Sequence, residues 1–175
     1  MTNDMPDIPG LIRDLRDPDI NVRRRAVRRL GAAGEPGIAP LIKAMRVAVD
    51  NDFRWYAANA LVLVGEPAVA PLLLAIEEDP SPAFRRYAGA SLAQIGEPAV
   101  KPVIDAFTRS DRDTRGLLAI VLCRIGPPAV APLKALLDDD DPVIRSCASL
   151  ALLKMGEPGV RALVDDTLSG DPGVT

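Results

Sequence analysis

Histidine is missing from this 175-residue chain, cysteine occurs twice, and aromatic side chains make up 3% of it, with a single tryptophan. Without histidine the usual general base, the commonest metal ligand and the side chain that titrates near neutrality are absent together. Cys123 and Cys147 belong to no C-x-x-C pair, so a metal or redox site is not expected and both read as reduced packing thiols. No window approaches 18 apolar residues, and Met1 to Pro9 holds no basic segment followed by an apolar run, so neither a membrane span nor a secretion leader is expected. A cytoplasmic protein without cofactor or metal follows as the expectation. The formal charge of −3 makes the molecule as a whole a poor match for nucleic acid, which leaves only a local basic patch to reverse that.

What the chain does contain is repetition. Gly34-Glu35-Pro36, Gly65-Glu66-Pro67, Gly96-Glu97-Pro98, Gly126-Pro127-Pro128 and Gly156-Glu157-Pro158 return at spacings of 31, 31, 30 and 30 residues. A unit this small cannot bury its own apolar face, so the units are expected to stack into one continuous array spanning 1–175. Counting back from each glycine, position −15 is Asp19, Asp50, Ser81, Asp111 or Asp141, residue types that cap a helix start. The carboxylate run Asp138 to Asp141 reads the same way, because Asp141 is such a cap and the turn of a calcium loop is missing. Apolar or small residues at −12, −8, −4 and −1, for example Phe53, Ala57, Leu61 and Val64, then share one face of a helix, here called B. The glycine ends it in a left-handed conformation.

A second helix, A, carries Ile38, Leu41, Ile42 and Met45 in one unit and Val69, Leu72, Leu73 and Ile76 in the next. Prolines at +6, such as Pro40 and Pro71, are tolerated only near a helix start, so A is expected to begin near +3. Ile8, Leu11, Ile12 and Leu15 form an A helix without a preceding B, and Asp171-Pro172-Gly173-Val174 resembles the opening of a further B. Eleven helices result: five A–B pairs and a final A.

The pattern Asp141-Pro142-Val143-Ile144-Arg145, with Ile95-Gly96-Glu97-Pro98-Ala99-Val100-Lys101-Pro102-Val103, resembles the HEAT-like repeats first associated with phycobilin lyases. The resemblance covers nearly the whole chain. It implies an all-α fold, a right-handed α-solenoid with A helices on the convex side and B helices lining a concave binding face.

Arginine recurs at −11 in every unit (Arg23, Arg54, Arg85, Arg115, Arg145), which predicts a structural ladder linking neighbouring caps, or alternatively a row of anion-binding groups. Positions −10, −9, −6 and −2 vary instead. In the first three units they gather Arg24, Arg25, Arg28, Trp55, Tyr56, Asn59, Arg86, Tyr87 and Gln94 in adjacent columns. Arginine, tryptophan and tyrosine are the residues enriched at interface hot spots, so these nine are the candidate partner-binding patch. Alternatively they fill the inner curvature as cation–π pairs. Toward the C-terminus the same columns turn apolar, with Leu117, Ile120, Cys147 and Leu150, suited to continuing the groove or meeting a second copy.

The expected function is a non-enzymatic scaffold, a monomer or weak homodimer, holding an acidic or mixed protein segment on the B face. Two alternatives stand beside it. One is nucleic-acid binding, as in HEAT-like proteins that cradle DNA, although this chain has one tryptophan and no carboxylate in the four columns. The other is a subunit of a chromophore lyase, implied only by the resemblance.

Overall fold

Capping, periodicity and proline placement produce eleven α-helices among the described residues: α1 (Ile8–Asp14), α2 (Ile20–Ala33), α3 (Glu35–Val47), α4 (Asn51–Val64), α5 (Val69–Glu78), α6 (Pro82–Ile95), α7 (Glu97–Arg109), α8 (Arg112–Ile125), α9 (Val130–Ala135), α10 (Pro142–Lys154) and α11 (Glu157–Ser169). The computed structural model describes the backbone of residues 6–169 and side chains as far as Val164. The motif Asp171 to Val174 therefore lies outside the described residues.

Every expected cap is made. Asp19 accepts from the Asn21 N–H at 2.8 Å, Asp50 from Asp52 and Phe53 at 2.8 and 3.3 Å, Ser81 from Phe84 at 3.4 Å, Asp111 from Thr114 at 2.8 Å and Asp141 from Val143 at 2.8 Å. These open α2, α4, α6, α8 and α10, the B helices. In three loops a second carboxylate, Asp17, Asp79 or Asp139, accepts from the N–H of the cap residue itself. The motif glycines all have positive φ, between 68° and 83°. At Gly34, Gly65, Gly96 and Gly126 the accompanying ψ lies between −135° and −141°, so they leave the left-handed helical well for a region open to glycine alone.

Three A helices start earlier than expected, while α5 and α9 begin at +4, close to the expected +3. In α3, α7 and α11 the first helical residue is the +1 glutamate, while α5 and α9 are preceded by 3₁₀ turns over Glu66–Ala68 and Pro127–Ala129. The first helical N–H groups have no partner within a helix, so proline at +2 forfeits nothing there. Proline at +6 forfeits one bond, and in α3 the carbonyl left free belongs to the exposed Pro36.

The −11 arginines also depart from expectation. They act within their own unit, on the loop from A to B, rather than across caps. Arg23 donates to the Asp17 and Pro18 carbonyls, Arg54 to those of Ala48 and Val49, and Arg85 Nε to Asp79 O at 2.7 Å. Arg115 reaches Phe107 O and Ser110 O at 3.0 and 2.8 Å, and Arg145 reaches Asp139 O and Asp140 O at 2.6 and 2.9 Å. The carbonyls at the end of a helix and in the loop beyond it have no backbone donors, and a forked guanidinium supplies several at once.

Two compact units result, Met1–Ile95 and Gly96–Thr175. In the first, α1, α3 and α5 form one layer and α2, α4 and α6 the other. In the second, α7, α9 and α11 pack against α8 and α10. Positions −12, −8 and −4 are sealed as expected except at Val22, which is half buried: Phe53, Ala57, Leu61, Phe84, Ala88, Leu92, Leu118 and Leu122 expose nothing. The −1 residues are only half buried. A further buried column, −5, carries Ala60, Ser91, Val121 and Ala151. Ser91 is tolerated there because its hydroxyl donates to Tyr87 O at 3.1 Å and Ala58 O at 3.4 Å.

Candidate interaction face

Which of the variable columns face solvent depends on how one B helix meets the next. The Ser91 hydroxyl on α6 reaches back to Ala58 on α4, so the −5 flank of a helix faces the helix before it. On α2, Gly31 at −3 faces forward: a Cβ placed there would sit 2.4 Å from Leu63 Cβ on α4. The −9 residues share the −5 flank, one turn earlier, and are drawn into the contact. That explains Tyr56, which is 8% exposed and lies under the Arg23 guanidinium of α2 at 5.1 Å from the ring centroid. The Tyr56 hydroxyl in turn raises the Arg23 pKa above its ordinary value. Tyr87 is half buried on the same flank of α6, with Arg86 over its ring at 4.9 Å and donating to its hydroxyl at 3.2 Å. Arg25 and Arg29 occupy the same flank of α2, where no B helix precedes among the described residues, and both are exposed.

Positions −10 and −2 remain open, as does −6 at Arg28, while Asn59 and Ala90 at −6 are half buried. These positions form a lattice of three rows on three helices: Arg24, Trp55 and Arg86, then Arg28, Asn59 and Ala90, then Ala32, Leu63 and Gln94. Six of the nine residues singled out from sequence fall on it, and Arg25, Tyr56 and Tyr87 lie on the flank. Trp55 is 52% exposed and stands edge-on to Tyr56, with centroids 4.9 Å apart at 84°. Below it the Asn59 side-chain amide donates to the Trp55 carbonyl at 2.7 Å. Leu63, 55% exposed, was absent from the nine. Its signal was a leucine in a column that otherwise holds alanine, glutamine, arginine and lysine. The two explanations of the aromatic columns thus divide by residue: cation–π packing accounts for Tyr56, while Trp55 stands proud of the layer.

The HEAT-repeat family matches residues 8–76, 38–115 and 100–174. The chain belongs to the HEAT-repeat family. Its fold class is accordingly an all-α repeat solenoid, in keeping with a structure that is helical and free of strands among the described residues. The match is to HEAT repeats in general and does not single out the phycobilin-lyase type. No curated protein gives a significant match. Among solved structures, two engineered proteins from a structural genomics consortium resemble it. One has 20% identity and a TM-score of 0.40, covering 93% of this chain and 86% of its own. The other has 18% identity and a TM-score of 0.38, covering 93% and 88%. A de novo designed 16-helix transmembrane nanopore is 14% identical, with a TM-score of 0.25, covering 90% of this chain and 52% of that one. Likenesses at these TM-scores carry no argument.

Elsewhere the HEAT array offers less. In the second unit the open columns hold exposed Ile120 and Leu150 beside exposed Arg124 and Lys154, with Leu117 and Cys147 half buried. Both cysteines are free. The Cys123 thiol donates to Ala151 O on α10 at 3.3 Å, and burial pushes its pKa up while nearby Lys154 pulls the other way. Between α3 and α5 a depression of ≈ 480 Å³ is bordered by Ile42, Leu74 and the Arg46–Glu78 ion pair at 2.7 Å. Among the described residues no cluster of three potential metal ligands occurs, and no helix is long and apolar enough to cross a membrane.

Proposed function

We propose that this HEAT-repeat chain is a non-enzymatic scaffold that holds a segment of a partner protein against the open columns of α2, α4 and α6. One observation carries the reading: a tryptophan, the only one in the chain, stands half exposed on a helix whose packing stripe is already sealed by Phe53, Ala57 and Leu61. Folding does not need that ring outside, whereas recognition uses such anchors, and truncating one costs about 2 kcal/mol or more of binding. HEAT repeats commonly serve as protein-interaction scaffolds, which supports the same reading. The proposal includes a single functional domain over 1–175, a cytoplasmic setting and a monomer or weak dimer.

The test is recovery of partners from native extract by tagged protein, comparing the parent with Trp55→Ala and with Leu74→Ala on the A layer. Loss with the first and retention with the second is expected. Equal recovery by both would remove the B face from consideration.

Nucleic-acid binding is the second reading. It is favoured by Arg24, Arg25, Arg28 and Arg29, which have no ion-pair partner among the described residues. Duplex binding that weakens steeply with salt would establish it.

A further inference from the structure

Within the scaffold reading, on which this inference rests, the chemistry of the open lattice narrows the occupant. We infer that it is an acidic protein segment carrying two apolar side chains about 12 Å apart.

The spacing comes from α4. Trp55 and Leu63 are separated by eight residues, about 12 Å at the helical rise of 1.5 Å per residue, and both are more than half exposed. Asn59 lies between them, half buried, with its side-chain amide donating to the Trp55 carbonyl at 2.7 Å. A helix laid along α4 would meet both anchors with residues seven or eight apart, and an extended strand with residues three or four apart.

The charge comes from the neighbours. Arg24 and Arg28 on α2 and Arg86 on α6 flank the seam at one helix spacing, about 8–10 Å. Among the described residues none of the three forms an ion pair, and the nine lattice positions contain no carboxylate. Arg24 and Arg28, four residues apart on α2, lie within a screening length of each other. A ligand that supplies carboxylates relieves their repulsion and gains charge-assisted hydrogen bonds. The cations are confined to the first two rows, while the third is Ala32, Leu63 and Gln94. A nucleic-acid backbone needs a continuous cationic track. An acidic segment with apolar anchors matches a face that is cationic above and apolar below.

Selection from a random sixteen-residue peptide library on the immobilised full-length protein tests this without presuming a sequence. The expected peptides are rich in Asp and Glu, with apolar pairs at a separation of three to four or seven to eight. Their affinity should fall about tenfold or more in Trp55→Ala and in Arg24→Glu/Arg28→Glu, with circular-dichroism melts confirming that both variants fold. Peptides that depend on Trp55 but are basic or uncharged overturn the acidic assignment and leave the scaffold reading standing. Peptides indifferent to both variants overturn both. Failure to enrich any peptide overturns the acidic assignment, and salt-sensitive duplex binding in that case assigns the face to nucleic acid.

Discussion

The two units solve the same packing problem with different residues. At −12 the first unit places Phe53 and Phe84 and the second Thr114 and Ile144, all buried. Only in the first do arginines from the ends of A helices lie over those rings, Arg16 over Phe53 at 3.6 Å and Arg46 over Phe84 at 5.5 Å. The open columns divide likewise: Arg, Trp and Asn in the first unit, Ile120 and Leu150, 51% and 57% exposed, in the second. Position within the repeat therefore sets burial, while residue type sets what an exposed place is for. A HEAT array can keep its register and still present a tryptophan among arginines in one unit and aliphatic side chains beside Arg124 and Lys154 in the other.

Substitutions at equivalent positions sharpen that contrast. Phe53→Ala should lose about 3–5 kcal/mol, because it removes a fully buried ring and the surface on which Arg16 stacks. Thr114→Ala, at the same repeat position, should lose about 1 kcal/mol. Urea titrations monitored by circular dichroism would show whether the midpoints separate this way. Two +3 glycines form the next pair. A Cβ on Gly159 would lie 1.9 Å from Leu152 O, backbone that cannot move aside, so Gly159→Ala should destabilise α11 by about 1–3 kcal/mol. At Gly37 the nearest atom would be 3.5 Å away, and Gly37→Ala should stabilise α3 by about 0.5–1 kcal/mol. Opposite shifts in melting temperature check both.

The loop clamps differ mainly in burial. Arg54 is 8% exposed and Arg145 is exposed, so Arg54→Ala leaves the buried Ala48 carbonyl unpaired and should lose about 1–3 kcal/mol. Arg145→Ala should lose less than about 1 kcal/mol, since water replaces the guanidinium. Equal losses would mean that the clamp works through something other than desolvated carbonyls. The smallest effect is chemical: burial raises the Cys123 pKa, so its thiolate fraction near pH 8 is reduced and alkylation should be slower in the folded protein than in urea. Mass spectrometry of the alkylated peptide reads the rate.

Much of the fold was legible because its signals are local. A capping oxygen, a period of three and four, and a glycine thirty residues apart each act through neighbouring backbone, and all five caps formed. The starts of α3, α7 and α11 lie earlier than the +6 prolines suggest, because such a proline forfeits only one backbone bond and in α3 the carbonyl it frees is on the exposed Pro36. Recurrence at −11 is equally compatible with contacts across units and within one, and only the structure shows that the arginines clamp their own loop. Tyr56 and Trp55 are adjacent in sequence and were grouped together. Which of them points outward depends on the flank that meets the preceding B helix, a property of how units stack that the periodicity of a single unit does not contain.

Trp55 stands half exposed among Arg24, Arg28 and Arg86, and its fluorescence reports this directly because no other tryptophan contributes. Relative to N-acetyltryptophanamide, quenching of the folded protein by iodide should be enhanced and quenching by caesium reduced, with both returning toward the values of the free indole in urea. Weak quenching by both ions, or stronger quenching by caesium, would contradict the account.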